Sequence, residues 1–297
     1  MKKVVFIMGP TAVGKTYFSV MLAKAFGGEI ISADSVQIYK KFDIGSAKVT
    51  KEEMQGVPHY AIDILDPKDD FSVYDFVQYT KQKIDEIIAR GGLPIIVGGT
   101  ALYVKALCYG YNFGGANKDE NLRKSLEEKS VEELFKMLEE KDENSAKNVD
   151  KFNKVRLVRA LEIALSGGEK TAQTVDIKPL FIALNKDREK LYEAINKRVD
   201  VMLKNGLIDE VKSLMDDGLT LENSSMKAIG YKEVYAYLKG EYDYEKMVEI
   251  LKQHSRNYAK RQLTFLRSMK DINFVDVSDL NKAKDEIFSL VEGFLDE

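Results

Sequence analysis

Short runs of β-branched and aliphatic residues, each closed by a turn signal, punctuate the chain at residues 4–8, 29–33, 93–97, 180–184 and 272–277. Runs of this length with little polar alternation predict strands buried on both faces. Helical periodicity fills the intervals at 15–26, at 73–90 and in several long stretches after Asp187. The alternation predicts an α/β fold, a mostly parallel sheet covered by helices. Between residues 114 and 178 the apolar runs stop and charged helical segments take over. Ser130-Val131-Glu132-Glu133 reads there as a capping box ahead of Leu134, Phe135 and Leu138. The expected organisation is a core formed by 1–113 and 179–297, interrupted by a small all-helical insertion domain over 114–178.

Composition narrows the classes. The 297 residues hold 45 Lys and Arg against 48 Asp and Glu, a net charge of −3, so any polyanion site must be local. One cysteine, Cys108, excludes an intrachain disulfide framework, and two histidines exclude a Cys/His zinc cluster. Cys108, between Leu107 and Tyr109, reads as a small buried hydrophobe. The first apolar run meets Gly9-Pro10 too soon for a signal-peptide core. The longest uncharged apolar stretch, 93–104, is shorter than the roughly 18 residues of a membrane span. A cytoplasmic, non-membrane protein acting as a monomer is expected.

The strongest chemical signal is Gly9-Pro10-Thr11-Ala12-Val13-Gly14-Lys15-Thr16, which fits G-x-x-x-x-G-K-[ST] at every position. It follows a predicted strand and opens a predicted helix, so its backbone N–H groups and the helix N-terminus face one anion. Lys15 adds a mobile charge and Thr16 a hydroxyl for Mg²⁺. A P-loop hydrolase also needs an acid at the end of a second strand to hold the metal. Here Pro94-Ile95-Ile96-Val97 ends in Gly98-Gly99-Thr100, so the bound phosphates fit a substrate's leaving group better than a nucleotide awaiting hydrolysis.

Ligands of open α/β sheets lie beyond the carboxyl ends of the strands. Asp34-Ser35-Val36-Gln37 follows the second strand. Asp34 there suits a base, or a partner to Mg²⁺ through water, or simply a helix cap. Thr100 ends the third strand on two glycines that admit a ligand. His59, in Val57-Pro58-His59-Tyr60, reads as a structural histidine. From Lys252 to Lys270 six basic residues occur without one acid, and at about 100° per residue all but Arg261 share roughly 80° of helix circumference. That stripe suits RNA phosphates, or a solvated face with acidic neighbours elsewhere in the fold. Lys154, Arg156 and Arg159 form a second basic group in the insertion.

These segments occur together with Asp43-Ile44-Gly45-Ser46-Ala47-Lys48, Arg159-Ala160-Leu161-Glu162, Ala228-Ile229-Gly230-Tyr231-Lys232-Glu233 and Tyr258-Ala259-Lys260-Arg261-Gln262. In that order and over nearly the whole length, the chain resembles the bacterial tRNA dimethylallyltransferase (tRNA isopentenyltransferase) family. The resemblance implies Mg²⁺-dependent transfer of a dimethylallyl group from dimethylallyl diphosphate to N6 of an adenosine next to the anticodon, with the insertion gripping the anticodon stem-loop. It implies a base at Asp34 and diphosphate or Mg²⁺ ligands at Lys15, Thr16, Thr100 and Arg198. It implies tRNA contacts at Asp34, Ser35, Val36, Gln37, Thr100, Arg123, Val155, Arg156, Leu157, Val158 and Arg159. Two departures stand out: Ala194 where many members carry arginine, and Thr264-Phe265-Leu266-Arg267 without the usual tryptophan. A relative acting on free adenine nucleotides is the nearest rival, but a mononucleotide needs neither the insertion nor the stripe.

Overall fold

A computed structural model of the chain describes residues 1–109, 119–165 and 176–297. In chain order the elements are β1 (Lys2–Met8), α1 (Lys15–Phe26), β2 (Gly28–Ala33), α2 (Lys51–Met54), β3 (His59–Tyr60), α3 (Val73–Ala89), β4 (Leu93–Gly98), α4 (Ala101–Tyr109), α5 (Glu120–Glu127), α6 (Val131–Lys141), α7 (Glu143–Asn148), α8 (Lys154–Leu165), β5 (Ile177–Asn185), α9 (Arg188–Lys204), α10 (Leu207–Asp216), α11 (Tyr231–Leu238), α12 (Tyr244–Ser268), β6 (Ile272–Asp276) and α13 (Leu280–Asp296). The chain divides into two compact units, Met1–Cys108 with Val175–Glu297, and Tyr109–Thr174. Among the described residues no helix is long and apolar enough to cross a membrane.

The larger unit is built on one six-stranded sheet in the order β3-β2-β4-β1-β5-β6, with every pairing parallel. All five expected strands are present. The sheet's first strand in the order, β3, has only two residues and no period to read. Val4, Val5, Phe6 and Ile7 of β1 are fully buried, as a central parallel strand with helices on both faces requires. One face packs Val5, Ile7, Ile95, Ile182 and Leu184 against Phe18 and Leu22 of α1 and Ile287 and Val291 of α13. A second core joins Ile38, Tyr39 and Phe42, in the loop after β2, to Leu207, Val211, Tyr231, Val234, Met247 and Leu251 of α10–α12. Burying such side chains contributes about 1.5–3 kcal/mol each, so this cluster fixes the loop beside the sheet's carboxyl edge.

The smaller unit is helical. Leu126, Leu134, Leu138, Ala146, Leu157, Val158 and Leu161 form its core. The capping box at α6 is present: the Ser130 side chain accepts from the Glu133 N–H, and Glu133 in turn accepts from the Ser130 N–H at 2.8 Å.

Candidate active site

Three neighbouring strands, β2, β4 and β1, end side by side, and each hands one segment to the same edge. From β1 comes the P-loop. Gly14 takes φ 104° at the N-cap of α1, a left-handed conformation that a side chain at this turn would strain. Lys15 folds back over the loop, its Nζ donating to the carbonyls of Gly9 (3.1 Å) and Pro10 (2.8 Å). Burial, and secondarily the Arg198 charge, lower its pKa to about 8 against the opposing pull of Asp34. Two cations and one carboxylate therefore feel one another at the loop.

After β2, Asp34 Oδ1 accepts from the N–H groups of Val36 (2.8 Å) and Gln37 (3.3 Å). No helix begins at Asp34, so the helix-cap reading does not hold; its Oδ1 instead closes a turn, and these two bonds fix the carboxylate's direction. Gln37 is oriented inward by Ser32 Oγ (3.2 Å) and the carbonyl of Ala47 (3.2 Å). Asp34, Lys15, Thr16, Gln37, Gly98 and His59 line one cavity of about 60 Å³. His59 is satisfied as a structural histidine through Nδ1 and the Val57 carbonyl at 2.8 Å, and desolvation lowers its pKa, yet its ring borders the P-loop cavity.

Asp34 also borders a second, larger cavity of about 350 Å³ with Thr11, Ser35, Val36, Ser46, Arg198, Tyr258 and Arg261. Arg198 enters from α9 and donates to the Ser46 carbonyl at 3.5 Å; burial holds its pKa below the ordinary arginine value. The loop bearing Ser46 is pinned by one carboxylate. Glu210 accepts from the N–H groups of Asp43 (3.0 Å), Ile44 (2.7 Å) and Gly45 (3.0 Å) and from the Tyr231 hydroxyl (2.8 Å). Tyr231 in turn accepts from the Ser46 N–H at 3.1 Å. The sequence marks neither Glu210 nor Tyr231 as a site residue; nothing local to either signals a partner more than 150 residues away.

Thr100 joins the site beside Tyr258, whose phenol is pushed up to about 12 by burial, followed by the Asp34 charge. Tyr258 lines the larger cavity. The buried Gln262, one turn on, ties two segments together: its Oε1 accepts from the Thr11 N–H (3.0 Å) and its Nε2 donates to the Gly99 carbonyl (3.1 Å). A Cβ on Gly99 would collide with that amide. One P-loop N–H is thus committed to α12 and the rest of the loop is held in register with β4.

The basic stripe divides. Lys252 pairs with Asp200 at 2.6 Å and Arg256 donates to Asn196 at 2.7 Å, so both turn onto α9. Lys260, Arg267 and Lys270 stay exposed, while Arg261, the residue off the stripe, borders the large cavity. In the smaller unit the side chains of Leu157 and Val158, two of the expected RNA contacts, are buried in the helical core. Val155, Arg156 and Arg159 remain partly or fully exposed. Arg159 and Arg123 both reach the buried Glu162, at 3.1 Å and 3.7 Å. Cys108 carries a thiol that burial pushes up to about 12, in keeping with an inert side chain.

The family model for IPP transferase matches residues 37–269. The chain is 46% identical to the tRNA dimethylallyltransferase of Clostridioides difficile (strain 630), over 98% of this chain and 99% of that protein. It is 47% identical to the tRNA dimethylallyltransferase of Bacillus cytotoxicus over 99% of this chain and 96% of that one. The crystal structure of the tRNA isopentenylpyrophosphate transferase from Bacillus halodurans superposes with a TM-score of 0.78 at 44% identity, covering 100% of this chain and 97% of the other. A eukaryotic dimethylallyltransferase captured acting on tRNA gives a TM-score of 0.86 at 28% identity, over 100% of this chain and 80% of its own. With the P-loop, the strand-end carboxylate and the clamped glycine turn in place, this chain belongs to the IPP transferase family.

Proposed function

We propose that the protein transfers a dimethylallyl group from dimethylallyl diphosphate to N6 of an adenosine beside the tRNA anticodon, releasing diphosphate. The observation that carries this reading is Asp34, which borders both the P-loop cavity and the larger one. A diphosphate on the P-loop and a base in the larger cavity would meet at that carboxylate. A cavity of about 350 Å³ lies within the usual range for small ligands, and extrusion of the adenosine from its stack is the way such a base enters.

The N6 lone pair attacks the allylic carbon while its C–O bond to diphosphate breaks, and the diphosphate leaves with the bonding pair. P-loop N–H groups, Lys15 and Arg198 take the growing negative charge, and they do so most strongly in the transition state. The N6 proton passes to Asp34, aimed by its two backbone bonds. The base plugging the cavity keeps water from the cation-like carbon. Among the described residues no group of three or more His, Cys, Asp or Glu side chains is placed to hold a metal. A hydroxyl and one carboxylate suit Mg²⁺ that keeps water and phosphate oxygens as its other ligands. Thr16 would hold it, Asp34 through water, and it would supply further neutralisation of the leaving group. The anticodon stem-loop is assigned to Val155, Arg156, Arg159 and Arg123 of the smaller unit.

Consumption of labelled dimethylallyl diphosphate, followed with and without tRNA, tests the reading. Turnover that requires tRNA supports it. Turnover with free adenine nucleotides alone, or none in either case, contradicts it.

A further inference from the structure

The smaller unit carries an aromatic ring that its packing does not use. Phe152 lies outside the unit's core and is 80% exposed, the most of any aromatic side chain among the described residues. Its backbone is fixed: its N–H donates to Asp150 Oδ1 at 3.1 Å, and the next residue, Asn153, accepts from the Arg156 N–H at 3.2 Å. Beside it Val155 is 69% exposed. Lys151 holds its ammonium 5.2 Å from the ring centroid. Lys154 and Arg156 take part in no ion pair among the described residues.

We infer that Phe152 is a stacking platform for one unpaired base of the bound RNA, with Lys151, Lys154 and Arg156 meeting the phosphates on either side of it. The inference rests on the tRNA reading above and gives that reading a contact of its own. A largely exposed phenyl ring gains from any flat apolar partner, and an excess of cations along the same segment favours one that is also anionic. A protein partner would call for a broader apolar patch; in the segment 150–156 the open apolar side chains are Phe152 and Val155, and three cations, Lys151, Lys154 and Arg156, stand there against one carboxylate, Asp150. Stacking is tolerant of base identity, so the contact fixes the position of a loop nucleotide without reading its sequence.

The chain contains no tryptophan, so Phe152→Trp places a single indole reporter at the site. Its emission is followed during titration with an RNA hairpin bearing an unpaired loop and with a blunt duplex of the same length. The expected result is quenching by the hairpin and not by the duplex. Phe152→Ala should weaken hairpin binding by roughly five- to hundredfold, leave the slope of affinity against salt unchanged because it removes no charge, and melt like the unaltered protein. Phe152→Tyr should restore affinity. Arg156→Ala should instead reduce the slope by about 0.7. An unquenched indole, equal quenching by the duplex, or a folded Phe152→Ala that binds as tightly as the unaltered protein would overturn the stacking contact and leave the RNA reading standing. Failure of the unaltered protein to bind the hairpin at all would overturn the RNA reading and the contact with it.

Discussion

Lys15 is a cation held where cations are costly. Its pKa of about 8 in the free protein reflects burial and the neighbouring Arg198, and the negative charge of an arriving diphosphate opposes both effects. Below about pH 8 the lysine is charged and ready for an anion; above it, binding must bring a proton along. Affinity for diphosphate should therefore fall as pH rises past 8, by up to tenfold per unit. Titration calorimetry near pH 8.5 in two buffers of different ionisation heat should show net proton uptake, and equal heats would contradict the assignment. Lys15→Ala should cut turnover on the order of 10² or more, since the charge acts on the leaving group. Asp34→Asn retains an acceptor for the Val36 and Gln37 N–H groups, so tRNA affinity should change little while transfer falls by roughly 10² or more. If filter-binding affinity collapses in step with activity, Asp34 positions RNA and does not take the proton.

Between elements, the clamp made by Gln262 joins two of the three strand ends, the P-loop after β1 and the glycine turn after β4. Gly99→Ala should force the Gln262 amide out of its place between the Thr11 N–H and the Gly99 carbonyl, loosening the P-loop against β4. A rise in KM for dimethylallyl diphosphate is expected. In a Gln262→Ala background the same methyl finds room, so its added effect should be markedly smaller; fully additive effects on kcat/KM would contradict the clamp. Earlier along α12, Lys252→Ala with Arg256→Ala should leave the salt slope of tRNA binding nearly unchanged, because both side chains are spent on α9. Lys260→Ala with Arg267→Ala should reduce it by about 0.7–0.9 for each phosphate that is no longer neutralised.

The same helix shows where sequence legibility stops. Its amphipathic period, the strands over residues 4–8 and 93–97, and α1 starting at Lys15 are all written in local patterns of three to twelve residues. The P-loop is legible for the same reason: its chemistry lies in eight consecutive positions. Gln262 touches Thr11 across 251 residues and Glu210 collects N–H groups 165–167 residues away. Such pairings leave no periodic trace, because the fold and not the local chain creates them. The stripe is legible as a face but not as a surface, since Asp200 and Asn196 on another helix decide which of its charges remain exposed.

For the whole molecule, a net charge of −3 means that a tRNA cannot be drawn in by the protein's overall field; exposed basic clusters must do it locally, against general repulsion. Binding should accordingly weaken steeply with salt although the protein is acidic. Unit by unit, the division of labour follows the chemistry: the sheet edge supplies a phosphate cradle, a carboxylate and a cavity, and the helical unit supplies arginines and an open aromatic ring. The atom proposed to receive the dimethylallyl group is N6 of a tRNA adenosine. The direct measurement is mass spectrometry of nucleosides digested from tRNA that has been incubated with the protein, Mg²⁺ and dimethylallyl diphosphate. The predicted result is an adenosine heavier by one isoprene unit, with fragmentation placing the gain on the base, present with the unaltered protein and nearly absent with Lys15→Ala. A prenylated free nucleotide alongside unmodified tRNA, or a gain on any nucleoside other than adenosine, would contradict it.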